Sequence, residues 1–147
     1  MDAIGRIIHI IVSLALGFLA GYYTPYLFNR IPAKWLCDYN EKPGPEMWGE
    51  RLRARPWNVI FALVLAASFV KLLDQGFVYQ IAGALALWSL LLIAVSDLKY
   101  MIIPDQFTLA LAITAIGFVP FQPSLFSPLW GALIGGGLFF LIGLIGR

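Results

Sequence analysis

Charge is scarce in this chain. Only 12% of its 147 residues are Asp, Glu, Lys or Arg, against about a quarter in a soluble domain. The few charges are clustered and leave several long uncharged runs, which excludes an ordinary water-facing globule. Cysteine is nearly absent. Cys37 stands alone, which excludes an internal disulfide and any multi-cysteine metal site. The one histidine, His9, sits near the start of the first apolar run, and a lone interfacial imidazole there reads as structural. A cleavable signal peptide is also missing. The first apolar run is longer than a secretory h-region and ends without a small-x-small site, so it is expected to remain as an anchor. Nothing in the sequence calls for a cofactor or points to nucleic acid.

What is abundant is apolar surface: 61% hydrophobic residues and a mean hydropathy of +0.84. Together with the uncharged runs this gives an all-α polytopic membrane helix bundle of about five transmembrane helices. The expected spans are residues 7–28, 57–73, 77–96, 106–119 and 129–146. Gly17 and Gly21 form a GxxxG in the first span, and Gly131, Gly135, Gly136 and Gly137 lie in the fifth. Small residues of this kind let helices approach closely, within one chain or between copies in a homo-oligomer. Tyr22, Tyr23 and Tyr26 collect at the far end of the first span, as in an interfacial belt.

Residues 29–56 form the one extended polar segment. Four prolines there (Pro32, Pro43, Pro45, Pro56) argue against a continuous helix. Its run Arg51-Leu52-Arg53-Ala54-Arg55 reads as a positive-inside anchor or as a contact for lipid phosphates. Placing this loop in the cytoplasm puts eight basic residues inside (Arg30, Lys34, Lys42, Arg51, Arg53, Arg55, Lys99, Arg147) and two outside (Arg6, Lys71). The N-terminus is then outside, and the third span ends at the cytoplasmic face.

That end carries Asp97, directly after a run of about twenty uncharged residues, roughly the length of a bilayer span. A carboxylate is unfavourable at a helix C-terminus next to hydrocarbon. Two readings follow. Asp97 either pairs with Lys99 or a loop arginine, or it is one half of a catalytic carboxylate pair. In the second reading partial burial and a second carboxylate would raise its pKa, and small residues on the face leading back from it (Ala94, Ala86, Gly83) would admit a partner helix. Two carboxylates sharing a proton can activate water for peptide hydrolysis without a metal. Asp105 follows Pro104 at the start of the fourth span, an N-cap position, so capping competes with direct catalysis there. A transporter using Asp97 for proton coupling is a further reading, weakened by the lack of charge inside the other spans.

The stretch Asp97–Thr108, DLKYMIIPDQFT, resembles the type IV prepilin leader peptidases, which are polytopic aspartic proteases. The resemblance implies that Asp97 is the first catalytic aspartate and that Ile103-Pro104-Asp105 is the tail of the motif. Pro104, Asp105 and Lys99 are then structural or substrate-positioning residues. The order of spans agrees, as does Asn29-Arg30-Ile31-Pro32 at the end of the first. The implied units are a first transmembrane helix (1–29), a cytoplasmic loop (30–56) and a peptidase-type bundle (57–147).

The resemblance further implies a prepilin-like substrate, cut after a leader glycine at the cytoplasmic interface, and a multi-pass location in a bacterial or archaeal plasma membrane. Membrane lipids would be the other partners. The chain departs from the family twice. The second catalytic aspartate belongs to a Gly-x-Gly-Asp that this sequence does not contain, so the chain is expected to be an N-terminal portion of a longer enzyme or a naturally short member. The paired Cys-x-x-Cys of bifunctional members is replaced by the single Cys37, so zinc and N-methylation are not expected. A non-catalytic protein that binds prepilin-like helices or assists a pilus or secretion assembly is the alternative.

Overall fold

A computed structural model describes residues 3–37, 40–124 and 126–145. Among them are five α-helices: α1 (Ala3–Arg30), α2 (Ala54–Lys71), α3 (Phe77–Tyr100), α4 (Asp105–Ile116) and α5 (Phe126–Ile145). Gly146 and Arg147, used above for the fifth span and the orientation, lie outside the described residues. The fold is a helical membrane bundle. Among the described residues three helices, α1, α2 and α3, are long and apolar enough to cross a membrane. α4 has 12 residues, about 18 Å at 1.5 Å per residue, short of a ~30 Å hydrocarbon core. The fourth span was expected to reach residue 119. It stops at Ile116 because Gly117 and Phe118 turn, and a 3-10 turn with Pro120 follows.

α1 and α2 form the tightest pair. A Cβ on Gly21 would lie 2.3 Å from the Phe61 carbonyl oxygen, and one on Gly17 would lie 2.6 Å from Ala66 Cα. Glycine is needed at both positions because backbone meets backbone. The pair is antiparallel, so Arg6 at the start of α1 meets Asp74 just beyond α2, at 3.4 Å. Buried polar side chains link the helices across the apolar interior. Gln80 of α3 donates to Ser13 Oγ of α1 at 2.8 Å and to the Phe69 carbonyl of α2 at 2.6 Å. Trp88 of α3 donates to Thr24 Oγ1 of α1 at 2.9 Å.

The main core lies at one end of the bundle. Phe28, Phe61, Leu92, Val95 and Phe107 come from the ends of four helices, and Leu36, Met47 and Leu52 come from the loop between α1 and α2. The loop is therefore not a solvated polar segment. Its apolar residues fold back over the helix ends, where two 3-10 turns, Ala33–Leu36 and Pro45–Met47, present them inward. The long outward faces of α1 remain apolar, with Ile7, Ile8, Ile11 and Leu19 each more than half exposed, as lipid-facing residues should be.

α5 stands apart. The space where a Cβ would sit on Gly131, Gly135, Gly136 and Gly137 is open, so the glycines expected to meet a neighbouring helix meet none among the described residues.

Candidate functional site at the loop end of the bundle

α3 carries Asp97 in its last turn. The helix stops at Met101, which adopts the left-handed conformation (φ 54°, ψ 32°) and donates its N–H to the Asp97 carbonyl at 2.8 Å. The Asp97 side chain is exposed. Partial burial was expected for it, and the described chain places no element over it. Nor does it pair with a cation: among the described residues the one ion pair is Arg6–Asp74. Lys99 turns elsewhere. Two residues on, it lies about 200° around the helix from Asp97, and its ammonium donates to the main-chain carbonyl of Arg51. The ends of α3 and of the loop are thus fastened on one side, and Asp97 faces the other. On that open side lie Ala94, which is exposed, and Leu90, 48% exposed.

Arg51 is the residue whose role the sequence disguises. Within a basic run it reads as a surface anchor, yet it is only 6% exposed. It donates from Nη1 to the Phe28 carbonyl at 3.3 Å, which in the last turn of α1 also accepts the Ile31 N–H at 3.3 Å. Asn29 works beside it. Its amide donates to the Leu52 carbonyl at 2.9 Å and accepts the Leu52 N–H at 2.7 Å. The bulk of Leu52 in the core fixes the register that turns Arg51 inward. Arg53 and Arg55 are exposed.

Asp105 is displaced by one position from the expected cap. Pro104 is the N-cap residue of α4 (φ −65°, ψ 130°), and its carbonyl accepts the N–H groups of Phe107 at 3.0 Å and Thr108 at 3.2 Å. Asp105 is the first helical residue, where its charge complements the helix dipole. Pro104 is buried and Asp105 exposed. Both line a cavity of about 270 Å³ with Lys34, Trp35 and Cys37 of the loop. The buried Cys37 thiol donates to the Lys34 and Glu41 carbonyls at 3.5 and 3.6 Å. Asp97 is not among the walls of this cavity. The motif therefore divides into an open carboxylate at the end of α3 and a second carboxylate beside a loop-covered cavity at the start of α4. Among the described residues no three His, Cys, Asp or Glu side chains gather as metal ligands.

No curated protein and no solved structure matches the chain. A family model does, over residues 84–147, which take in most of α3, all of α4 and α5, and so Asp97, Lys99, Pro104 and Asp105. Over that segment the chain is similar to the type IV leader peptidase family.

Proposed function

We propose that the protein works as a membrane aspartic endopeptidase that removes the leader of prepilin-like proteins at the cytoplasmic face, with Asp97 as one carboxylate of the catalytic pair. The observation that carries this reading is the position of Asp97. It lies inside the segment matched to a peptidase family, at the end of a helix long enough to span a membrane, with its side chain exposed. An apolar substrate helix lying in the bilayer would bring its leader junction to that level. The second carboxylate of the family's Gly-x-Gly-Asp, which these residues do not contain, would approach over the open side of α3. One carboxylate then takes a proton from water as it attacks the scissile carbonyl, and the protonated partner donates to the carbonyl oxygen. Lys99 and Pro104 hold the ends of α3 and α4, and Asp105 serves at the adjoining cavity.

The test is cleavage of a prepilin-like substrate by the complete enzyme, with both carboxylates, reconstituted in lipid. Asp97→Asn should lower cleavage by at least roughly a hundredfold, the scale of a lost general base, with membrane insertion unchanged. Full cleavage by that variant would refute the assignment. A second reading rests on the open apolar faces of α3 and α5: a non-catalytic protein that binds prepilin-like helices along them. It predicts substrate crosslinking to these helices without cleavage, unaffected by Asp97→Asn.

A further inference from the structure

The tyrosines at the loop end of α1 are more than an interfacial belt. Tyr22, Tyr23 and Tyr26 wall a cleft of about 460 Å³ between α1 and the start of α2, and Glu50 and Asn58 complete it. Three features of this cleft are unsatisfied or already engaged with charge. The Arg30 guanidinium is not one of the walls, but it sits 4.3 Å from the centre of the Tyr26 ring, which is. The exposed Glu50 carboxylate has no ion pair among the described residues, although the loop around it is rich in Lys and Arg. Asn58 is only 5% exposed. Its Oδ1 accepts the Val59 N–H at 2.9 Å, and its Nδ2 hydrogens have no partner among the described residues.

We propose that this cleft binds the zwitterionic headgroup of phosphatidylethanolamine. The ammonium would lie against Tyr22 and Tyr23 and donate to Glu50, and the phosphate would accept from Asn58 Nδ2 and from Arg30 beside Tyr26. The level is right for a lipid. Tyr26 and Tyr22 lie about 6 and 12 Å along the axis from Arg30, spanning headgroup to upper acyl chain. Tyr22 and Tyr23 are 46% and 55% exposed on the outer side of a membrane-spanning helix, so the cleft opens toward lipid. The chemistry selects among headgroups. Phosphatidylglycerol has no cation for Glu50, and the quaternary nitrogen of phosphatidylcholine has no N–H to donate. The inference does not depend on peptidase activity.

The experiment uses the full chain in nanodiscs of mixed phosphatidylethanolamine and phosphatidylglycerol, followed by native mass spectrometry of the lipids retained. Phosphatidylethanolamine should be retained over phosphatidylglycerol by roughly tenfold, the effect of one well-placed charged contact. Glu50→Gln and Tyr26→Leu should each bring retention near parity, with circular dichroism showing the helices intact. Equal retention by the unaltered chain, or a preference that survives both substitutions, would overturn the proposal. Displacement of the lipid by a lysine-rich peptide, dependent on Glu50, would also overturn it and assign the cleft to a peptide.

Discussion

The Lys99 ammonium donates to the Arg51 carbonyl, while the Arg51 side chain donates to the Phe28 carbonyl. One loop residue thus joins the ends of α3 and α1. Lys99→Met keeps the length of the side chain and removes the donor. It should destabilise the folded loop by about 1.5 kcal/mol, the lower end for a charge-assisted hydrogen bond, since the position is partly solvated. Limited proteolysis should then cut within residues 40–53 faster, while the membrane helices stay protected. Unchanged proteolysis would show that the core residues Leu36, Met47 and Leu52 hold the loop without this contact.

The α1–α2 contact predicts a sharp contrast between glycines. A side chain on Gly21 would collide with the backbone at Phe61 and Ala62, and rigid helix backbone cannot yield as a side-chain tip can. Gly21→Val should cost at least about 1–3 kcal/mol, the scale of overpacking. Gly135→Ala in α5 meets open space and should stabilise the helix by about 0.5–1 kcal/mol. Thermal unfolding in detergent compares the two, and equal effects would rule out the close approach.

These two glycines also show what was legible in the sequence. The GxxxG spacing predicts a close helix contact, and the structure supplies it, because glycine spacing encodes a property of one helix face. The same cue in α5 meets no partner among the described residues, since spacing says nothing of whether a neighbour is present. The five helices follow from the uncharged runs, which depend on composition alone. The shortness of α4 was harder to see. Its apolar pattern runs on past Ile116, and the stop depends on a turn at Gly117 and Phe118 before Pro120. Arg51 was misread for a similar reason. Its neighbours in sequence are surface arginines, and only the burial of Leu52 and its bonds to Asn29 turn it inward. For Asp105, proline was the obstacle: the cap was assigned to the polar side chain, although a proline backbone can occupy the N-cap.

Met101 ends α3 in a left-handed conformation that L side chains adopt at a cost of roughly 1–2 kcal/mol. Its side chain is 90% exposed, so little packing is lost on removing it. Met101→Gly should therefore be neutral or stabilise the helix end by about 1 kcal/mol. Met101→Val, β-branched, should destabilise it. Amide exchange at the last turn of α3 reads the difference, and the reverse order would mean that α3 ends in another conformation.

Gln80 tests whether polar bonds between helices matter in this bundle. It is 1% exposed, and its amide nitrogen reaches both Ser13 Oγ and the Phe69 carbonyl. In a membrane the separated helices cannot give these groups to water, but they find other partners, so each bond contributes about 0.6 kcal/mol and up to about 2. Gln80→Leu should therefore destabilise the bundle by about 1–2 kcal/mol, and Ser13→Ala by less. The double variant should fall short of the sum by about 0.6 kcal/mol or more, because the second change removes a bond that the first has already broken. Strict additivity would mean that Gln80 acts through Phe69 alone. Since Ser13 lies on α1 and Phe69 on α2, that outcome would leave α1 joined to α3 mainly by Trp88 and Thr24.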